Sequence, residues 1–257
     1  MKKTQLSRRD LLGLAAKGAA SVVVSQSLLA ACASGQSKTT DTPSTTNTSG
    51  TATGTQTGNA TCILTAALEE GPFFVDEKLN RSDIRTDPVT RAVSAGVPLA
   101  LTFNVSRVAG NACTPLTGAY LDVWHCDAGG VYSDVEGESH KFLRGYQLTD
   151  GNGAAKFTTV YPGWYPGRAV HIHFKLRLFA GSTKSYEFTS QLFFNDALTD
   201  SVHAQAPYDS RGSRNTRNAN DGIFNSLSAT EKPALTLQAS KVGSGYEGVI
   251  NFGVQVA

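Results

Sequence analysis

The chain lacks any concentration of charge. Its 257 residues carry a formal net charge of only +2, and part of that comes from Lys2, Lys3, Arg8 and Arg9 near the N-terminus. No basic stripe runs through the remainder, which argues against nucleic acid as a partner. A long apolar run is also missing. Residues 11–31 are largely apolar but are interrupted by Lys17 and Gln26, short of the roughly 20 residues needed to span a bilayer. No repeat of fixed period is visible. Cysteine is scarce, and no closely spaced pair accompanies the histidines, which argues against a structural zinc site. The metalloprotease pattern His-Glu-x-x-His does not occur. Of only five histidines, two stand in one short stretch, PGWYPGRAVHIHF, Pro162 to Phe174.

What is present divides the chain in three. Residues 1–31 carry the paired arginines of SRRDLL ahead of an apolar segment, which resembles a twin-arginine export signal. LAAC, ending at Cys32, resembles a lipobox, so cleavage before Cys32 and lipid on its thiol are expected. The expected location is therefore a lipid anchor on the periplasmic or extracellular side of a bacterial membrane. Residues 32–61 are almost wholly Ser, Thr, Gly, Ala and Asn. They cannot bury enough apolar surface to repay ordering and predict a flexible tether with a reach of about 30 Å. Residues 62–257 are the expected folded domain. Export permits one disulfide among Cys62, Cys113 and Cys126, with Cys62 expected as one partner because it would pin the domain's edge.

Within the domain the dominant period is two. Leu99, Leu101, Phe103 and Val105 alternate with Thr102, Asn104 and Ser106. Ala119, Leu121 and Val123 alternate with Tyr120, Asp122 and Trp124. Near the end, Ile250, Phe252, Val254 and Val256 alternate with Asn251 and Gln255. Gly- and Asn-rich turns separate such runs. Only Ile223–Lys232, and a short stretch at His203–Ala206, suggest helix. The pattern predicts an all-β fold, an antiparallel or mixed β-sandwich with few short helices.

The histidine strand carries the chemistry. Residues i and i+2 of a strand share a face, so His171 and His173 project together, followed by Lys175 and Arg177. Val170, Ile172, Phe174 and Leu176 form the opposite, core-facing side. Two imidazoles on one face are the beginning of a metal site. Taken alone, His-x-His is equally a structural pair. Tyr165 stands six residues before His171, across a Pro-Gly turn. Phenol is a poor ligand for divalent ions at neutral pH, whereas a hard trivalent cation favours phenolate, so the combination points to Fe(III).

The motifs extend further. Trp124, His125, Gly130, Tyr132 and Ser133, then Pro162, Gly163 and Tyr165, then Arg168, His171, Ile172 and His173, follow the order and spacing of the intradiol ring-cleavage dioxygenases. EGPFF (Glu70 to Phe74), RSDI (Arg81 to Ile84) and TSQLFFND (Thr189 to Asp196) extend the resemblance. It implies non-haem Fe(III) held by Tyr132, Tyr165, His171 and His173, with O2 as co-substrate and a small catechol-type diol as substrate. By position, Arg168 and Gln191 match the arginine and glutamine near the substrate, Tyr165 also serves as a proton acceptor, and His125 is structural. The expected product is a cis,cis-muconate-type dicarboxylate. An exported metal- or aromatic-binding module without turnover is the competing reading. The presence of Arg168 and Gln191 beside all four ligand positions argues against it. The motifs leave the particular catechol and the oligomeric state open.

Overall fold

A computed structural model describes residues 64–135 and 139–256. The export segment, the tether, Cys32 and Cys62 therefore lie outside the described residues. Among the described residues, ten strands form two sheets: β1 (Pro98–Ala109), β2 (Ala112–Pro115), β3 (Tyr120–Trp124), β4 (Arg144–Leu148), β5 (Ala154–Val160), β6 (His171–Ala180), β7 (Thr183–Phe194), β8 (Thr236–Leu237), β9 (Ala239–Val242) and β10 (Gly245–Val254). One sheet runs β2-β1-β10-β9, with β5 also paired to β1; the other runs β4-β3-β6-β7-β8. The β1–β10 and β7–β8 pairs are parallel and the others antiparallel. The expected mixed all-β architecture is present.

The alternation read along β1 becomes burial. Leu99, Leu101, Phe103 and Val105 are buried, as are Ile250, Phe252 and Val254 of the neighbouring β10. They join Leu121, Val123, Ile172, Phe174, Leu176 and Leu192 of the second sheet in one apolar cluster. Apolar side chains on one face of each sheet leave water only by packing face to face.

The other face of the second sheet is covered too, which alternation alone does not reveal. β6 is buried at every position from His171 to Arg177. The extended segment before β1 lies across this face. Glu70 pairs with Lys175, Asp76 with Arg177 at 2.9 Å, and the Lys175 ammonium sits 4.1 Å from the Phe74 ring centre. Asp122 on β3 completes the cover by accepting from Arg177 at 2.8 and 2.9 Å.

The helices differ from expectation. Asn195 caps α1 (Asp196–His203) by accepting from the backbone N–H groups of Ala197 and Leu198, so the helix precedes Ala204–Ala206 rather than including them. Ile223–Lys232 is not one helix. It divides into α2 (Gly222–Ser226), capped by Asp221, and α3 (Glu231–Ala234), because Leu227 turns to an extended conformation. Cys113 on β2 is disulfide-bonded, with its partner outside the described residues, so the expected role of Cys62 lies outside them as well. Cys126 is a buried free thiol.

Candidate active site

Strand register sets the first row of the site. Trp124 of β3, His173 of β6 and Gln191 of β7 are direct cross-strand partners on the outer face. The Trp124 and His173 rings stack 4.9 Å apart at 7°. His171, two residues along, brings its Nε2 to 3.0 Å from His173 Nε2. Its Nδ1 donates to the Ala169 carbonyl at 2.6 Å, which leaves the Nε2 lone pair facing the site. Both rings are held neutral. Burial, reinforced by Arg168, lowers His171 to about 3, and burial, reinforced by His171, puts His173 well below the ordinary range.

Two loops supply the phenols. Tyr165 Oη lies 3.1 Å from His171 Nε2. The Tyr132 ring centre is 5.7 Å from that of Tyr165 and 6.2 Å from that of His173. Glycine lets the loops meet. A Cβ on Gly130, whose φ is +76°, would fall on the Trp164 carbonyl oxygen, and one on Gly163 would fall on the carbonyl oxygens of Asp127 and Ala128. Only a residue without a side chain permits backbone this close. Arg144 then pins the Tyr132 loop, donating from Nε to Ser133 Oγ at 2.9 Å and from Nη1 to the Phe73 carbonyl at 3.0 Å. Phe73 stacks on Tyr132 at 4.2 Å, so phenylalanine here contributes packing.

The electrostatics of this cluster are unfinished. Among the described residues, Tyr132 Oη and His173 Nδ1 are buried and make no hydrogen bond of normal geometry, although the Tyr132 hydroxyl lies beside that of Tyr165. Burial raises the Tyr132 phenol well above its usual range and pushes Tyr165 up to about 12. Orphaned buried polar atoms are costly. A hard cation among two phenols and two neutral imidazoles would reverse the penalty by favouring phenolate, so the residues present fit ferric iron. Among the described residues, no group of three or more His, Cys, Asp or Glu is arranged to hold a metal ion, so such a site depends on the phenols.

Arg168 and Gln191 also meet. Arg168 Nη2 donates to Gln191 Oε1, and Gln191 Nε2 donates to the Glu69 carbonyl at 2.7 Å. Asp221, which motif reading missed, is the anchor beneath them. Its Oδ2 accepts from Arg168 Nε at 2.8 Å and from the Ala169 N–H at 2.7 Å, while Oδ1 accepts from the Ile223 and Phe224 N–H groups that open α2. Burial opposes its ionisation, but these donors outweigh burial and hold the carboxyl below its usual range. Asp221 stands at an ordinary helix N-cap position, and that was its only sequence signal. Asp221→Asn keeps most of the cap but weakens the grip on Arg168. It is expected to lower kcat roughly 10- to 100-fold with metal content unchanged, as checked by steady-state kinetics and metal analysis.

His125 stands apart, as expected. Its Nδ1 is 2.8 Å from the Cys126 carbonyl oxygen and its Nε2 2.7 Å from Thr159 Oγ1. Burial lowers its pKa from 6.5 to about 4. The unfolded chain protonates this ring near pH 6.5 while the folded protein resists until about pH 4. Its contribution is therefore complete above pH 6.5 and lost as the pH falls towards 4, by about 3 kcal/mol. Urea unfolding across this interval is expected to show the decline, with a shallower slope in His125→Gln.

A β-sandwich bearing this aromatic and imidazole cluster has the architecture of a ring-cleaving dioxygenase. The sequence matches the family model described as Dioxygenase over residues 69–211, more than half of the chain. An intradiol ring-cleavage dioxygenase from Tetranychus urticae is 29% identical, covering 76% of this chain and 95% of that one, with a TM-score of 0.63. The dioxygenase domain of a dioxygenase carbohydrate-binding protein fusion from Streptomyces sp. SirexAA-E is 31% identical, covering 76% of this chain and 100% of that one, with a TM-score of 0.53. A 3-chlorocatechol 1,2-dioxygenase from Rhodococcus opacus 1CP shares the fold at 19% identity, 75% and 73% coverage and a TM-score of 0.53. This chain belongs to the intradiol ring-cleavage dioxygenases, enzymes that open catechol-type rings.

Proposed function

We propose that the protein cleaves a catechol-type diol between its two hydroxylated carbons, with ferric iron held by Tyr132, Tyr165, His171 and His173 and O2 as co-substrate. The observation that carries this reading is the pair of neutral imidazole Nε2 atoms 3.0 Å apart, facing one phenol and flanked by a second, buried one that makes no hydrogen bond of normal geometry with a described residue. Ferric iron, when bound, would supply a Lewis acid that makes the diol ring reactive towards O2. The chain's own residues do the rest. Tyr165 Oη, the less buried of the two phenols, would accept a catechol proton in the phenolate form that a hard cation favours. Arg168, oriented by Asp221 and Gln191, offsets negative charge on the reacting ring. Phe73 on Tyr132 and Trp124 on His173 keep water from the flanks of the site. Diol plus O2 gives a dicarboxylic acid containing both oxygen atoms, so no external reductant is needed.

The test is iron content, visible spectrum and oxygen uptake on the purified protein, with mass analysis of the product. Tyrosinate-to-iron charge transfer is expected to colour the protein red, and added catechol to shift the band. Iron-loaded protein that leaves oxygen and every catechol untouched would refute the proposal.

We further propose export through the paired arginines Arg8 and Arg9 and lipid anchoring at Cys32, supported by the SRRDLL and LAAC motifs. Cys32→Ser is expected to move the protein from the membrane fraction to the soluble fraction. A wild-type protein that is already soluble, with its N-terminus uncleaved, rules the anchor out.

A further inference from the structure

We infer that the cleft beside Arg168 selects catechols whose ring substituent is apolar or donates a hydrogen bond, and rejects those with a ring carboxylate, through Glu69. The inference rests on the proposed ring cleavage and concerns which diol the same site takes. The cleft has a volume of about 540 Å³ and is lined by Ala67, Leu68, Glu69, Arg168, Gly222, Ile223 and Ser226. That lies within the range of roughly 300–1,000 Å³ that houses drug-sized ligands, more than an unsubstituted diol requires. None of Tyr132, Tyr165, His171 or His173 lines it, so the cleft is placed to receive a substituent of the bound diol rather than the reacting ring itself.

The cleft adjoins the site through its own wall. Arg168 lines it and holds Gln191, and Gln191 donates to the Glu69 backbone carbonyl at 2.7 Å. Two residues further on, a Cβ at Gly71 would lie 3.5 Å from His173 Cε1. The segment carrying Glu69 thus runs from the cleft onto a histidine of the cluster.

The charges of the lining decide what fits beyond the ring. Arg168 is the single cation in it, and its guanidinium is fixed at Nε by the buried Asp221 and at Nη2 by Gln191, committed to the reacting ring rather than to a substituent beyond it. Lys175, on the strand that carries His173, is taken by Glu70 and Glu187. Glu69 is exposed, and its carboxylate forms neither an ion pair nor a hydrogen bond with any described residue. A ring carboxylate would find no free cation and would face this anion across a partly desolvated cleft, where like charges are costly. A hydroxyl or amine would meet an acceptor, and an alkyl group would meet Leu68, Ala67 and Ile223.

Iron-loaded wild type, Glu69→Gln and Glu69→Lys are compared on 4-methylcatechol and 3,4-dihydroxybenzoate, each referred to plain catechol. Both kcat/KM and anaerobic dissociation constants are measured. Wild type is expected to favour 4-methylcatechol by about tenfold or more in both measures. Glu69→Gln should narrow the gap severalfold, and Glu69→Lys should close or invert it. Equal or better use of the carboxylate by wild type, or a gap unmoved in both variants, overturns the inference and leaves ring cleavage standing. Absence of turnover on all three diols would sink the cleavage proposal instead, and the anaerobic binding ratios would still decide the selection by charge.

Discussion

Replacing His171 or His173 with alanine is expected to remove bound iron and turnover together. Each imidazole is buried and neutral, and the two Nε2 atoms are 3.0 Å apart, so neither can be deleted without opening the centre of the cluster. The sandwich core lies on the other side of β6, formed by Ile172, Phe174 and Leu176. The variants should therefore stay folded. Metal analysis, the visible spectrum and oxygen uptake read the three consequences, and circular dichroism verifies the sheet. Full activity with either histidine absent would sink the metal assignment.

Arg168→Ala is expected to separate metal from chemistry. Iron and colour should persist, because Arg168 does not belong to the Tyr–His cluster. Turnover should fall by roughly 100- to 1,000-fold, the scale of losing one preorganised group that stabilises developing charge. The loss should appear mainly in kcat, since the guanidinium acts on charge that grows during reaction. Its orientation comes from two sides, Asp221 at Nε and Gln191 at Nη2. Arg168→Lys should recover little, because an ammonium cannot reproduce that two-sided hold. Normal turnover in Arg168→Ala would remove the arginine from the mechanism.

The candidate site was legible to different depths. Spacing placed His171 and His173 on one strand face with Tyr165 a short turn away, while Tyr132 and the full ligand set came from the resemblance of the ordered motifs, whose relations are local. Gly130 and Gly163 stood in the same motifs, but their reason did not. Each is needed because the two tyrosine loops touch backbone to backbone, a contact between segments about 35 residues apart. Asp221 was invisible for a similar reason. It lies 53 residues from Arg168 and looks like any helix cap until α2 packs beside the start of β6. The covered outer face of β6 was also hidden. Alternation assigns side chains to faces, but it does not say that Glu70, Phe74 and Asp76 will return to lie over Lys175 and Arg177.

Sequence alone was enough for the sheet class, because a period of two is a property of neighbouring residues and needs no distant partner. It was enough for the residue types that suit a ferric centre, because phenol and imidazole chemistry belongs to the side chain. Only the folded chain decided how these groups stand to one another. The burial of the Tyr132 hydroxyl, the carboxylate that holds Arg168, and the position of Glu69 at the cleft all depend on which distant segments close over the site. Those closures follow from burial of two apolar sheet faces against each other, a cooperative outcome of the whole chain that no single motif encodes.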